Sequence, residues 1–417
     1  MINLINLNIK YIIKYILLNM NKKQEYGQFF TTNYEYILQN FNIPNNIENI
    51  IEPFAGNCDL IKFIEKTDKK YNIELYDIDP KKENIIKQDT LLNPPLYKNK
   101  FVITNPPYLA RNKSANKIIF DKYNQNDLYK CFIKEICSNK LLGGILIIPL
   151  NFWSSIRLSD INLRKEFLKV YNIIHLNIFE ENVFDDTSYT VCSFQFEMKE
   201  NKTKNIFKIQ VYPNNKTIDV ELNNSNNYII GGEIYNLKSN NTYTITRCTS
   251  KNKHDLNTNI IAKCIDDNST NKIKLFTISD PEKYIDDTPK QTARTYATLI
   301  IKPEINLEKQ KQVVDDFNIY LNQYRDKYNS LFLTNYRESK DIARKRISFE
   351  LIYNIVEIIL EKIDKNEKKI KDNTDKKDKK DEKDEKDEKD EKPIKKIKDN
   401  KDEKPIKKIK DNKGNNK

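Results

Sequence analysis

Short apolar runs alternate with stretches of helical period through the first half of the chain. Runs at 49–52, 72–77, 101–104 and 144–150 are rich in Ile, Leu and Val and are bounded by Asn, Asp, Pro or Gly, which predicts strands. Apolar residues three or four apart predict helices at 60–66, 127–139 and 163–170, and two more strands follow at 171–178 and 191–196. Alternating strands and helices predict an α/β fold with a mainly parallel sheet covered on both faces. Beyond about residue 200 the pattern loosens into Asn-rich loops, short strands at 207–211 and 242–246, and helical stretches at 306–328 and 339–362. That change predicts a first domain at 20–200 and a separate, less regular one at 201–362.

The two ends read differently. Residues 1–19 are apolar but interrupted by Lys10 and Lys14. They are too short and too charged for a membrane span, which needs about 20 apolar residues, and they lack a signal-cleavage site. Met20 opens a normal-looking N-terminus, so 1–19 reads as a leader or an upstream false start. At the other end DEK recurs at 381–392 and EKPIKKIKDNK occurs at 391–401 and 403–413. Almost nothing there can be buried, and 363–417 is expected to be a disordered tail.

Composition sharpens this. The net charge is +12. Residues 361–417 hold 23 Lys against 18 Asp and Glu, so 1–360 keep a net +7, compatible with a nucleic-acid partner. Two histidines and six cysteines without a C-x-x-C pair argue against a structural zinc site, and no metal or membrane partner is expected. Six cysteines in so long a chain are no disulfide framework. Reduced thiols fit an intracellular, reducing compartment: cytoplasm, or nucleus or viral factory in a eukaryotic host. Glycine occurs 7 times in 417 residues, so each one is a candidate for a backbone that tolerates no side chain.

Four segments carry candidate chemistry, in chain order. Glu52-Pro53-Phe54-Ala55-Gly56-Asn57-Cys58-Asp59 follows a strand and precedes a helix, where backbone can approach a nucleotide-like ligand. Asp77 ends the next strand, in Tyr76-Asp77-Ile78-Asp79-Pro80, at the spacing of a carboxylate that accepts from a ribose diol. Gln88-Asp89-Thr90 adds a carboxylate on the same rim, suited to an exocyclic amine. Asn105-Pro106-Pro107-Tyr108 follows the run Phe101–Thr104; its prolines remove N–H donors and leave outward carbonyls, with an amide and a ring alongside. That set suits a planar ring bearing an amine.

In this order the segments resemble the adenine-specific (N6, amino-group) class of S-adenosylmethionine-dependent DNA methyltransferases. Tyr26-Gly27-Gln28-Phe29-Phe30-Thr31-Thr32 resembles the segment that closes over the cofactor in those enzymes, and Gly143-Gly144-Ile145-Leu146-Ile147-Ile148-Pro149 their later glycine-led strand. The resemblance covers about 24–200. It implies a seven-stranded sheet with one antiparallel strand at 191–196, and a C-terminal target-recognition domain. It implies S-adenosyl-L-methionine held by Phe30, Thr31, Glu52, Pro53, Ala55, Gly56, Asp77, Ile78, Asp89, Thr90 and Asn105. It implies catalysis by Asn105, Pro106, Pro107 and Tyr108 on double-stranded DNA. There Asn105 Oδ1 and the Pro106 carbonyl accept from adenine N6 of a flipped base, and Tyr108 stacks on it. Cys58 stands where the family has a second glycine; its side chain crowds the cofactor or shifts the loop.

Alternatives remain open at this level: an RNA-adenine or cytosine-N4 methyltransferase, or a DNA-binding protein without turnover. A covalent cytosine-C5 mechanism is excluded, because no cysteine follows a proline. No nuclease-like carboxylate cluster is visible, so a restriction endonuclease would be a separate partner. Arg337, Lys340, Arg344, Lys345 and Arg346, beside Tyr336 and Phe349, are candidates for DNA phosphates. The rival reading is the solvated face of a helix burying Ile347, Leu351, Ile355 and Ile359.

Overall fold

The computed structural model describes residues 27, 29, 31–184, 189–200, 204–266, 270, 272–285, 295–335 and 344–387, with side chains described to residue 373. The 1–19 leader, the Met20 start, Phe30, Arg337 and Lys340 lie outside the described residues. Residues 1–361 form one compact unit and 362–417 another.

The main sheet contains β1 (Asn49–Glu52), β2 (Asn72–Asp77), β3 (Ile86–Lys87), β4 (Phe101–Thr104), β5 (Gly143–Pro149), β6 (Tyr171–Phe179), β7 (Val191–Met198), β8 (Asn205–Tyr212) and β9 (Lys216–Leu222). Its order is β3-β2-β1-β4-β5-β7-β6-β8-β9. The apolar runs become central strands because both faces are covered: every residue of β4 and β5 is buried. Helix Leu128–Ser138 buries Phe132, Ile133 and Ile136 completely, with Phe132 packed edge-on against Phe54 and Tyr97.

The sheet has nine strands, not the expected seven. Two of the extra contributions come from beyond residue 200, where Phe207, Ile209 and Val211 alternate inward along β8. β8 runs parallel to β6, and β9 returns antiparallel to β8. β7 lies antiparallel to β5 and β6 as expected, and β9 is a second reversed strand.

After β9 come β10 (Thr244–Arg247), β11 (Ile260–Lys263), β12 (Ile265–Asp266), β13 (Lys274–Thr277), β14 (Tyr296–Lys302), β15 (Thr334–Asn335) and β16 (Lys345–Arg346). They build a sheet of order β10-β14-β11-β13 and a small one of order β12-β16-β15. Helix Leu307–Tyr328 covers β13. Its start is capped by Asn306, which accepts from the Lys309 N–H at 2.8 Å. Asn318 on that helix closes the sheet edge, exchanging bonds of 2.9 Å with both the N–H and the carbonyl of Leu275.

The expected helix at 339–362 instead starts at Phe349, because Lys345 and Arg346 are drawn into pairing with β12 and β15. It runs to Asp387, into the start of the expected tail; Lys, Asp and Glu three and four apart in the sequence are compatible with a helix that has no core. Residues 388–417 lie outside the described set.

Candidate active site

The site forms where β1, β2 and β4 end side by side. Gly56, at φ +48°, lets the turn after β1 fold back, and its N–H donates to Asp77 Oδ2 at 2.8 Å. Asp77 Oδ1 accepts from the Asp79 N–H, also at 2.8 Å, and the Ala55 N–H reaches the Tyr76 carbonyl. One buried carboxylate therefore ties the first turn to the end of β2. Thr90 Oγ1 donates to the Pro53 carbonyl at 3.0 Å, and Asp89 Oδ1 accepts from the N–H groups of Leu91 and Leu92.

Asn105-Pro106-Pro107-Tyr108 leaves β4 beside the segment that contains Gly27. The Tyr108 N–H donates to the Gly27 carbonyl at 2.9 Å. Gly27 has φ +65°, and a Cβ there would sit 2.8 Å from the Tyr108 backbone, so only glycine lets the two segments meet. Asn105 Nδ2 donates to the Phe29 carbonyl at 2.9 Å and to Thr31 Oγ1 at 3.1 Å. A carbonyl can only accept, which orients the amide and turns Oδ1 toward the Tyr108 hydroxyl, 2.5 Å away. That hydroxyl also lies 2.8 Å from the Ile147 carbonyl.

A cavity of about 590 Å³ opens here, lined by Phe29, Pro53, Gly56, Asp77, Ile78, Asp89, Thr90, Asn105 and Pro107. Glu52, Ala55 and Thr31 support it from behind rather than line it. Cys58 also stands apart: it adopts φ +62° and turns its thiol into a cluster with Ala55, Leu75 and Ile85, clear of the cavity. Burial pushes that thiol's pKa up.

Glu52 is 2% exposed, and its Oε2 has no hydrogen-bond partner among the described residues. Burial, then the charges of Asp77 and Asp59, hold its carboxyl well above the usual range. That favours its neutral form, and it lies outside the cavity lining. The carboxylates on the lining, Asp77 and Asp89, can accept from the hydroxyls and the amine of a nucleoside such as that of S-adenosylmethionine.

A second cavity of about 1110 Å³ is lined by Ala110, Tyr129, Lys130, Pro149, Arg157 and Tyr189 from the main sheet and its helices. Arg247, Thr334, Arg346, Phe349 and Tyr353 face them from the second region. Tyr108 lines neither cavity but packs against residues of both. Its ring centroid is 5.2 Å from Phe29, which lines the smaller, and 6.0 and 5.8 Å from Tyr129 and Tyr189, which line the larger. At 3% exposure the ring is enclosed rather than presented as a stacking face, and burial raises its pKa far above that of a free phenol.

Of the basic residues expected on phosphate, Arg346 lines the larger cavity. Arg344 is half-buried and outside the cavity lining. Lys345 is only 7% exposed, with its Nζ ion-paired to Glu180 at the end of β6. The sequence reading missed Arg157 and Arg247, which sit on opposite walls. No motif surrounds either one. Among the described residues no group of His, Cys, Asp and Glu is placed to hold a metal ion, and no helix is long and apolar enough to cross a membrane.

No family model matches the chain, and no curated protein does. Among solved structures, it is similar to a protein described as the modification subunit of a type I restriction enzyme from Vibrio vulnificus YJ016. That match is 13% identical, covers 50% of this chain and 52% of the other, and has a TM-score of 0.37. A protein described as a class I S-adenosylmethionine-dependent methyltransferase from Listeria monocytogenes matches at 16% identity and a TM-score of 0.33, over 42% of this chain and 61% of that one. The type I restriction-modification methyltransferase subunit from Streptococcus thermophilus matches at 15% identity and a TM-score of 0.33, over 44% and 47%. The chain therefore spans about half to three fifths of the length of these three structures. Likenesses this distant carry no weight for activity, and the functional reading rests on the site's own geometry.

Proposed function

We propose that the chain is an S-adenosylmethionine-dependent methyltransferase acting on adenine N6 in double-stranded DNA. The observation that carries this reading is the position of Asn105 and Pro107 on the wall of the smaller cavity, beside the strand-end carboxylates Asp77 and Asp89. That cavity offers acceptors for a diol and an amine; the larger one has room and basic residues for a polyanion. S-adenosylmethionine bound in the smaller cavity supplies an electrophilic methyl group on a sulfonium.

The chain's own residues do the rest. Adenine N6 is a poor nucleophile because its lone pair is delocalised into the ring. Asn105 Oδ1 and the Pro106 carbonyl accept the amine hydrogens, which localises that lone pair and directs it at the methyl group. Thr31 and the Phe29 carbonyl hold the amide through Nδ2, which leaves Oδ1 as its accepting end. The Tyr108 hydroxyl positions Oδ1 in turn, a role for the O–H that comes before any role for the ring. Asp77 holds the ribose and Asp89 the adenine of the donor. A base must leave the duplex to reach the turn.

The test is methylation-sensitive sequencing of DNA from cells expressing the protein, beside an Asn105→Ala control. N6-methyladenine at a defined sequence, absent from the control, is the expected result. Methyl marks on cytosine N4 alone, or only on RNA, would reassign the acceptor. No mark on any nucleic acid would overturn the reading.

A further inference from the structure

The segment between β5 and the next long helix is anchored more firmly than a mere connection requires. It opens as the short helix Asn151–Ser154 and ends at Arg157, where helix Leu158–Val170 starts. Arg164, on the second turn of that helix, is inaccessible to solvent. Its guanidinium reaches back toward the helix start, where Nη1 donates to the Phe152 carbonyl at 2.5 Å and Nη2 to the Ser155 carbonyl at 2.7 Å. Burial pulls its pKa down to about 10, and the charge of Asp160 works the other way, so the group stays charged at neutral pH. A charge buried this completely is costly, and both bonds go to carbonyls of one short loop.

That loop faces the larger cavity, where Asn151, Ser155, Ile156 and Arg157 line the wall. Its far end is fixed as well. The Arg157 carbonyl accepts from the N–H groups of Asp160 and Ile161 at 2.9 and 3.0 Å, and its own N–H donates to Ser155 Oγ at 3.3 Å. The Arg157 side chain, by contrast, is exposed. The carboxylate three residues on, Asp160, is committed to Lys130 at 2.6 Å in a buried pair, and no carboxylate among the described residues pairs with Arg157. The cavity lining carries four basic side chains, Lys130, Arg157, Arg247 and Arg346, against the two carboxylates Asp127 and Asp160. A guanidinium on a fixed backbone gives up little freedom on meeting an anion, and its planar fork matches the oxygens of a phosphate.

We propose that residues 151–157 form a strand-holding loop. Arg157 takes a phosphate of the DNA strand that carries the acceptor base, and Arg164 is the positioning residue that fixes the loop for that contact. This rests on reading the larger cavity as the acceptor site, and gives the sheet side a DNA contact that no basic run in the sequence marks.

The experiment uses the full chain and a fluorescein-labelled DNA duplex, with affinity read by anisotropy across salt concentrations. Arg157→Gln is expected to lower the slope of log Kd against log salt by about 1, as for one lost phosphate contact, and Arg157→Lys to keep the wild-type slope. Arg164→Lys keeps the charge but loses the planar fork that joins two carbonyls, and is expected to lower the slope by the same amount. Because Arg164 acts through Arg157, the double variant should match Arg157→Gln alone. Ser155→Gly loosens the loop at a clamped carbonyl while leaving Arg164 in place, and so tests the positioning role even where Arg164→Lys does not fold. It is expected to raise Kd in the wild-type background and not in Arg157→Gln. Cofactor affinity should stay constant throughout. A wild-type slope in Arg157→Gln would overturn the proposal, as would a wild-type chain that binds no DNA. Additive losses in the double variants would overturn the role of Arg164. Methyl transfer by the wild-type chain is scored separately. If transfer occurs but Arg157→Gln keeps its slope, this inference fails and the proposed activity stands. If nothing is methylated while the slope falls, the reverse holds.

Discussion

The sheet side and the far side of the molecule are held together by different means. On the sheet side, backbone geometry does the work: a left-handed glycine under the N-P-P-Y turn, a proline-fixed strand end, and N–H groups tied down by Asp77. On the far side, order comes from side chains of distant sequence. Lys345 pairs with Glu180, Arg325 with Asp266 at 3.1 Å, and Arg247 lies over Phe349. Backbone-built walls need Gly, Pro and Asp at set spacings. Walls built by side-chain pairing need only that two compatible groups meet, and leave no local trace.

The contrast can be broken most severely at the turn. Asn105→Ala is expected to slow single-turnover methyl transfer by about 10²–10³-fold, the usual cost of losing one preorganised hydrogen-bonding group, with cofactor and DNA affinity nearly unchanged. Tyr108→Phe should fall between it and wild type, because the amide loses the hydroxyl that positions it. Near-normal transfer by Asn105→Ala would make the turn merely structural.

On the far wall the largest effect is one of stability. Lys345→Met leaves Glu180 facing an apolar neighbour in a mostly buried place, and should cost about 3 kcal/mol in urea unfolding. Adding Glu180→Leu should recover most of it. A Lys345→Met protein as stable as wild type would show that the pair does not hold the wall.

Asp77→Ala removes the acceptor for the Gly56 and Asp79 N–H groups, and should cost about 1.5–3 kcal/mol of cofactor binding by calorimetry. Unchanged binding would move the ribose contact elsewhere.

Glu52 gives a pH test with a definite sign. Its folded pKa is raised, so the stability it contributes is complete below the ordinary carboxylate value of 4.5 and is lost as pH rises from there through the raised pKa. The ligand-free protein should therefore weaken over that window, and Glu52→Gln should flatten the slope. A stability flat across that window in urea unfolding would mean that Glu52 is not held neutral.

The smallest effect is expected at Cys58. Relief of its positive φ and loss of its buried thiol oppose each other, so Cys58→Gly should change stability by less than about 1 kcal/mol. Cofactor affinity should not move. A clear gain in affinity would show that the thiol crowds the ligand after all.

Much of the first region was legible because its marks are local. The strands ending at Glu52, Asp77 and Thr104 have the bounds that their apolar runs predict, and Pro53, Gly56, Asp77, Ile78, Asn105 and Pro107 from those ends line one cavity, though Glu52, Ala55, Pro106 and Tyr108 do not. The strand count was not legible. β8 and β9 join the main sheet only because β6 offers a free edge, and nothing near residue 200 says which sheet a strand will enter. The tail's charge pattern excluded a core but not a helix, since helix formation needs only local propensity.

By itself, then, the order of residues determined what backbone chemistry demands: the glycine under the turn, the prolines after β4, the carboxylates at the strand ends. Tertiary structure decided what depends on pairing across the chain. It put the Tyr108 hydroxyl rather than its ring face on the site, turned Lys345 inward to Glu180 and left Arg346, its neighbour, facing the cavity. Adjacent residues of a strand point to opposite sides, so one basic run was divided between an ion pair and a cavity wall by pairing partners lying far from it in sequence.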